Sequence, residues 1–149
     1  MIDRVLNGKL FFIKLLLMEG LSIIGTVLTP LISFNPLIGV MEIKGRSIPD
    51  NSDDFWVPIL NWFESYLIQP AQKTIFKIDL EYFNISSSKR ILFLLYKLNE
   101  LAERGFDVCV EWGYKKEDID MYEVGQDYAY MVKVPFIFKE YNESDMVES

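Results

Sequence analysis

The chain has 149 residues, of which half are apolar and 15% aromatic, a length and composition that suit one packed core and exclude a disordered chain. Acidic residues outnumber basic ones by 22 to 15, so the net charge of -7 repels phosphates and DNA or RNA binding is not expected. The sequence has no histidine, the commonest general base and metal ligand, and its one cysteine, Cys109, can form no internal disulfide, which fits the reducing cytoplasm.

An apolar stretch near the start of the chain is interrupted by Lys14. It is too short to span a bilayer, and no small-residue cleavage site of a secretory signal follows it. We therefore expect residues 1–17 to be an accessory extension and not a membrane anchor, residues 18–141 to form a single domain, and residues 142–149 to be a flexible acidic tail.

The next segments predict strands. A short strand around Leu21 to Ile24 precedes two longer ones, Leu31 to Phe34 and Val40 to Lys44, which flank a turn that contains Asn, Pro and Gly. These are the residues that a hairpin loop requires, so we expect the two longer strands to pair as a hairpin.

Three later segments alternate apolar and polar residues with a period of two, which is typical of strands with one buried and one solvated face. We expect the apolar residues of each segment to share one face. These residues are Phe76, Ile78, Leu80 and Tyr82 in one segment, Phe106, Val108, Val110, Trp112 and Tyr114 in the next, and Val132, Val134, Phe136 and Phe138 in the last.

Apolar residues at helical spacing lie between these strands. One stripe predicts a helix capped by Ser52 or Asp54, in which Pro58 has to lie in the opening turn, where backbone amides lack partners. A second predicts a helix that ends at Gly105, a residue suited to a left-handed C-terminal position. A shorter acidic helix is expected from about Asp118 to Tyr130. The stripes are Phe55, Ile59, Trp62, Phe63 and Tyr66 in the first helix and Ile91, Leu94, Leu95, Leu98 and Leu101 in the second.

The order of these elements indicates the class of fold. The predicted strands have polar outer faces, whereas the helices carry broad apolar stripes that have to be buried. The simplest arrangement is a two-layer α/β (α+β-like) domain, in which a mixed sheet of about five to six strands carries its helices mainly on one face.

The sequence from Asn84 to Lys89 leads from a predicted strand into a predicted helix and contains Ser86, Ser87 and Ser88. Unpaired amides and the helix dipole favour negative charge at such a position, so a phosphate on one of these serines could be accommodated. The alternative is that Asn84 or Ser86 only caps the helix. Capping and phosphorylation are compatible.

A second candidate is the loop from Gly45 to Asn51, in which Arg46 could pair with an acidic partner group or a phosphate. The alternative is an ordered turn without a binding role, which Pro and Asn suit equally well. Because this loop and the serine segment both lead from a strand into a helix, we expect Arg46, Asn84, Ser86 and Ser87 to lie together on one exposed surface.

Five carboxylates form a third candidate, either as a divalent-metal site or as a solvated acidic face that meets a basic partner. Their spacing fits no EF-hand loop, because the central glycine and the terminal glutamate are misplaced. We therefore expect an acidic face without metal or other cofactor. Cys109 has no histidine to activate it as a nucleophile. The carboxylates belong to Glu117, Asp118, Asp120, Glu123 and Asp127.

From about Met18 to Tyr141 the chain resembles the SiaC-type biofilm-regulation phosphoproteins, a family related in shape to anti-sigma-factor antagonists (STAS-like). Each matching segment is weak alone, but their order and spacing together are specific. The segments are Ile24-Gly25-Thr26, Thr29-Pro30, Gly39 to Asn51, Leu80 to Lys89, Trp112-Gly113-Tyr114, Asp120 to Asp127, and Val134-Pro135-Phe136.

The resemblance implies a non-enzymatic partner-switching protein in cyclic di-GMP signalling. Such a protein is phosphorylated by a Ser/Thr kinase, restored by a metal-dependent phosphatase, and binds and stimulates a diguanylate cyclase when unphosphorylated. The matching segments supply the predicted partner-binding residues Arg46, Ser47, Asn51, Tyr82, Asn84, Ile85, Lys89, Asp120 and Glu123.

This sequence departs from the family at the phosphoacceptor, where the family pattern Asn-Thr-Ser-Ser has threonine and this chain has Ile85. Isoleucine has no hydroxyl and cannot be phosphorylated. Either Ser86 or Ser87 has taken the role, or the chain is fixed in its unmodified, partner-binding state.

Two other functions remain open at the level of sequence. One is an adaptor that resembles an anti-sigma-factor antagonist, which would also switch between partners but would bind a different one. A small metal-dependent enzyme that uses the acidic cluster belongs to another class, and the missing histidine counts against it.

Overall fold

The computed structural model describes residues 18–143 together with Gly8. The other residues of the expected extension, 1–17, and residues 144–149 of the expected tail lie outside the described residues, so the division into extension, domain and tail stays a prediction. The elements are, in chain order, β1 (Leu21–Ile23), β2 (Leu31–Asn35), β3 (Val40–Ser47), α1 (Ser52–Tyr66), β4 (Lys73–Phe83), α2 (Ile85–Glu103), β5 (Asp107–Lys115), α3 (Ile119–Met131) and β6 (Phe136–Tyr141).

Within residues 18–143, six strands form one mixed sheet in sequential order. Strands β1, β2 and β3 pair antiparallel, and β3, β4, β5 and β6 pair parallel. Each parallel connection contains one of the helices α1, α2 and α3, as parallel pairing requires. The carboxyl ends of β3, β4 and β5 therefore meet on one side of the sheet, which we call the carboxyl end of the sheet. The β1–β2 loop, residues 24–30, lies on the same side.

The sheet has one apolar face, on which the helices pack, and one open face. Period-two alternation places large apolar side chains of every central strand on the helix side, where they are buried with the apolar stripes of α1 and α2. The charged side chains of the same strands alternate onto the open face. This is the two-layer α/β arrangement expected from the sequence. The buried strand residues are Ile32, Phe34, Met41, Ile43, Phe76, Ile78, Leu80, Val108, Val110 and Trp112.

Helix α1 begins earlier than the sequence suggested. Its N-cap is Asn51, whose side chain accepts a hydrogen bond from the amide of Asp54 at 3.1 Å, so the prediction of Ser52 or Asp54 as the cap is wrong. Because the helix begins at Ser52, Pro58 lies inside it and not in the opening turn as expected. The predicted stripe is buried at Ile59, Phe63 and Tyr66 but missed Trp56, which is fully buried.

Helices α2 and α3 match the sequence prediction more closely. The five apolar residues of the second stripe are all buried, and Gly105 adopts φ 94°, the left-handed conformation expected after the helix. Asp118 caps α3 by accepting from the amide of Met121 at 3.0 Å. Gly125 allows α3 to approach the sheet, because a Cβ there would lie 2.5 Å from the Trp112 ring.

Strand β6 begins at Phe136, although the alternating pattern was expected to form a strand from Val132. Val132 and Val134 are buried without belonging to the strand. The amides of Lys133 and Val134 donate instead to the side chain of Asn99 in α2, at 3.0 and 3.2 Å. No helix within residues 18–143 is both long and apolar enough to cross a membrane.

Candidate functional site

Backbone hydrogen bonds hold three loops side by side at the carboxyl end of the sheet. The carbonyl of Leu28 in the β1–β2 loop accepts from the amide of Ile48 at 2.7 Å. One residue earlier, the carbonyl of Ser47 accepts from the amide of Asn84 at 3.0 Å, just before α2. The β1–β2 loop, the end of β3 and the serine turn, residues 84–88, therefore form one continuous surface.

An irregularity in β4 changes which side chains this surface presents. Gly45 pairs with Leu80, but the next residue of β3, Arg46, pairs with Tyr82, so Glu81 is an extra residue in β4. Tyr82 is consequently 52% exposed beside Arg46, and not on the apolar face with Leu80 as the alternation predicted. Phe83 turns inward in its place and its ring contacts Trp112 and Tyr128.

The serine turn begins with a helix cap. The side chain of Asn84 accepts from the amide of Ser87 at 2.9 Å, which satisfies one of the unpaired amides at the start of α2. Ile85 follows as the first helical residue and is 78% exposed. Ser86 is half-buried, and its hydroxyl donates to the hydroxyl of Ser52 in α1. The N-termini of α1 and α2 thus meet at Ser86.

Ser87 has a different environment from Ser86, because it is fully buried together with Ser47. The two hydroxyl oxygens are 2.7 Å apart, and the Ser87 hydroxyl also donates to the Ser47 carbonyl at 3.0 Å. The expectation that Ser87 lies on an exposed surface is therefore wrong. In this conformation neither Ser47 nor Ser87 can reach a partner, and a phosphate on Ser87 would be a buried charge without a counter-charge.

Charged side chains follow Ser52 and Ser86 in the first turns of α1 and α2. Arg90, one turn further along α2, forms an ion pair with Asp53 in the first turn of α1. Lys89, three residues after Ser86, and Asp54, two residues after Ser52, are both exposed. A charge of nearly two units added at Ser86 would meet the favourable amides of two helix starts, the Arg90 guanidinium, and the repelling carboxylate of Asp53.

Two further predicted residues, Asp120 and Glu123, lie in exposed positions near the start of α3. The strand topology places them at the carboxyl end of the sheet, but the contact that joins α3 to the serine turn is made by Tyr128, whose hydroxyl donates to the Ser88 carbonyl at 2.9 Å. Burial raises the pKa of Tyr128 to about 12. Within residues 18–143 no three acidic or cysteine side chains come together in a way that could hold a metal ion.

The predicted partner-binding residues thus fall into two groups. Ser47 is buried, whereas the others are at least partly exposed and belong to the strand ends, loops or helix starts of the carboxyl end: Arg46, Asn51, Tyr82, Asn84, Ile85, Lys89, Asp120 and Glu123. Because β3 extends to Ser47, the prediction that the loop begins at Gly45 is wrong, and Arg46 lies in the strand. By the alternation of β3, the Arg46 side chain lies on the open face of the sheet. The helices, including the serine turn at the start of α2, lie on the opposite face.

The β1–β2 loop was not among the binding surfaces predicted from the sequence, but it exposes Ile24 and Val27 at the same end of the sheet. The sequence does contain a feature that could have indicated these exposed residues. Apolar residues without strand or helix periodicity stand between Thr26 and Thr29, two residues whose hydroxyls form local turns.

Comparison with known proteins gives a consistent result over most of the chain. The family model described as SiaC family regulatory phosphoprotein matches residues 23–141. An uncharacterized protein of Pseudomonas aeruginosa (strain UCBPP-PA14) is 27% identical over 126 residues, which span 85% of this chain and 100% of that protein.

Solved structures agree with this match. A chain in the crystal structure of the diguanylate cyclase SiaD in complex with its activator SiaC from Pseudomonas aeruginosa superposes with a TM-score of 0.77 at 27% identity, over 81% of this chain and 99% of that chain. Apo-SiaC from the same organism gives a TM-score of 0.74 at 28% identity, over 82% of this chain and 99% of the other. The chain therefore belongs to the SiaC family of regulatory phosphoproteins.

Proposed function

We propose that this chain is a non-enzymatic, cytoplasmic partner-switching regulator that binds and stimulates a diguanylate cyclase through the carboxyl end of its sheet. The observation that carries the proposal is the structural match to a chain of the complex between a cyclase and its activator, at a TM-score of 0.77. At 27% identity that match extends to sequence as well as to fold. Stimulation of the cyclase would raise the production of cyclic di-GMP.

The exposed residues of the carboxyl end support this surface as the site of contact. Tyr82 and Ile85 present large apolar side chains to solvent, and Arg46 and Lys89 supply charges next to them. Exposed aromatic and arginine side chains are enriched at the energetic centres of protein interfaces. Asn84 keeps the turn in shape as the helix cap, so its contribution to binding is in part structural.

We assign the regulatory phosphate to Ser86. Ile85 at the family acceptor position has no hydroxyl, and the hydroxyl of Ser87 is buried against Ser47. Ser86 is within reach of solvent and lies one residue from the family position. A Ser/Thr kinase and a metal-dependent phosphatase are the partners that would add and remove this phosphate.

The addition of a phosphate would act through charge. It would bring nearly two negative charges next to the Asp53–Arg90 ion pair. Arg90 would then be drawn toward the phosphate, and the carboxylates of α1 would be repelled. A partner that fits the neutral Ser86 surface would lose affinity, because like charges in an interface destabilise it.

The direct test is Ser86→Asp, with binding to a purified diguanylate cyclase of the same organism measured by calorimetry. We expect the dissociation constant to rise by about tenfold or more, which corresponds to about 1.4 kcal/mol. Ser65→Asp is the matched control, because Ser65 is exposed in the last turn of α1, at the opposite end of that helix from Ser52. That variant should bind as the unmodified chain does.

Mass spectrometry after incubation with the kinase and ATP completes the test, and the phosphate is expected on Ser86. Unchanged binding of Ser86→Asp would show that Ser86 is not the switch, although the cyclase would remain a partner. Failure of the unmodified chain to bind the cyclase would overturn the proposed function itself.

A further inference from the structure

The β1–β2 loop displays three large apolar side chains within five residues. Ile24 is 85% exposed, Val27 78% and Leu28 38%. Single exposed apolar residues are ordinary on protein surfaces, but a local group of them marks a contact surface. The serine turn and the acidic face do not account for this group.

The loop is held rigid by its own polar groups. The Thr26 hydroxyl accepts from the amides of Leu28 and Thr29 at 3.1 and 3.0 Å, and the Thr26 amide donates to the Thr29 carbonyl at 2.8 Å. Pro30, which follows, is buried. These bonds define a local turn whose backbone directs the apolar side chains outward.

The loop is also continuous with the proposed cyclase surface. The hydrogen bond from Ile48 to Leu28 and the one from Asn84 to Ser47 place the two loops on either side of the end of β3. Because hydrogen-bonded strands lie about 5 Å apart, the backbones of Leu28 and Asn84 are separated by about 10 Å. Val27 and the exposed Ile85 therefore belong to one side of the molecule.

Acidic side chains follow Ile48, the residue whose amide bonds to Leu28. Asp50 is exposed in the same loop as Ile48, and Asp53 and Asp54 follow in the first turn of α1. Of these three, Asp53 is paired with Arg90. Within residues 18–143 Asp50 and Asp54 form no ion pair, and Arg46, two residues before Ile48, is exposed as well. A partner that covers Val27 would thus meet two unpaired carboxylates and one cation, in a chain whose net charge is -7.

We infer that Ile24, Val27 and Leu28 form a second contact zone for the protein partner, which covers them with apolar side chains and places lysine or arginine side chains against Asp50 and Asp54. The inference rests on the proposed function, since the partner that it describes is the cyclase. It adds the chemistry of the partner's contact surface, which has an apolar centre and a basic border.

The test compares two variants with matched exposure. Val27 is 78% exposed and Leu37, in the β2–β3 turn at the opposite end of the sheet, is 77% exposed. Neither side chain is buried, so Val27→Ser and Leu37→Ser should both fold. In calorimetry with the purified cyclase we expect Val27→Ser to raise the dissociation constant by about tenfold, as loss of a central interface residue does, and Leu37→Ser to leave it unchanged.

The basic border is tested by Asp50→Asn, with the dissociation constant measured at low and at high salt. Binding by the unmodified chain should weaken as salt is added, and Asp50→Asn should weaken binding at low salt and reduce the salt dependence.

Equal binding by Val27→Ser and the unmodified chain, or an equal loss in Leu37→Ser, would overturn the second contact zone while the cyclase remains a partner. An unchanged salt dependence in Asp50→Asn would overturn the basic border. If the unmodified chain does not bind the cyclase, the proposed function and this inference fall together.

Discussion

Two serines that are neighbours in the sequence have opposite environments in the fold. Ser86 is half-buried at the surface where two helices begin, whereas Ser87 is fully buried and bonded to Ser47. The difference arises because successive residues of a helix point about 100° apart, so a helix start that packs on the sheet buries one and exposes the other. The same rotation exposes Ile85.

The two buried hydroxyls, of Ser47 and Ser87, should contribute unequally to the free energy of unfolding. Ser87 donates to the Ser47 carbonyl, so its hydroxyl remains satisfied when the Ser47 side chain is removed. Ser87→Ala, in contrast, leaves the Ser47 hydroxyl buried without its partner at 2.7 Å. We expect Ser87→Ala to lower the free energy of unfolding by about 1–2 kcal/mol, and Ser47→Ala to lower it by less. Urea unfolding of both variants measures this. A larger loss in Ser47→Ala would contradict the assigned donor directions.

At the scale of elements, the buried stripe of α2 and the alternation of β4 and β5 were predictable because each pattern persists over many residues. The cap of α1 was not, since Asn51, Ser52 and Asp54 are all good capping residues and only the backbone decides among them. The start of the β6 pattern was wrongly predicted as strand for another reason. Val132 and Val134 are buried outside the strand, and the Val134 amide donates to Asn99, so burial alone reproduced the alternation.

The candidate site was predictable in place but not in detail. The order of strands and helices was enough to place Arg46 and Asn84 at one end of the sheet. The extra residue in β4 that exposes Tyr82 has no signature in a period-two pattern, which continues unchanged through Glu81. The burial of Ser87 depends on the contact with Ser47, a residue 40 positions away in the sequence.

Tyr128, whose hydroxyl joins α3 to α2, makes stability depend on pH because it is buried. Burial raises the pKa of Tyr128 to about 12 from an ordinary value of 10.0, so the folded state holds the neutral phenol more strongly than the unfolded chain does. This stabilisation is complete below pH 10 and is lost as pH rises from there toward 12. At pH 11 the loss should be about 1 kcal/mol.

Tyr128→Phe tests this coupling, with urea unfolding measured between pH 8 and pH 11. The variant should be less stable at pH 8, because the hydrogen bond from the Tyr128 hydroxyl to the Ser88 carbonyl is lost, and should lose less further stability toward pH 11 than the unmodified chain. Tyr130→Phe is the control, since Tyr130 is 93% exposed, and it should follow the unmodified chain. The same alkaline loss in Tyr128→Phe as in the unmodified chain would contradict the assignment.

In the whole molecule, charge is balanced on the open face of the sheet. Glu42 and Glu111 both flank Lys77 in the strand register, and Lys44 pairs with Asp79, so opposite charges alternate across the strands. Asp79 also accepts a hydrogen bond from the hydroxyl of Tyr141 at 2.8 Å. Because this face is internally compensated, it gives a partner little to bind. The carboxyl end exposes Tyr82, Ile85 and Val27, which is why we propose it as the contact surface.

The most direct test of the proposed function is the rate at which a purified diguanylate cyclase of the same organism makes cyclic di-GMP as this chain is added. The account predicts that the rate rises with the concentration of the chain until it saturates, and that Ser86→Asp at the same concentrations raises it much less. Leu37→Ser should stimulate as well as the unmodified chain does, since its side chain is exposed at the opposite end of the sheet. A rate that stays at its basal value at every concentration of the unmodified chain would contradict the account.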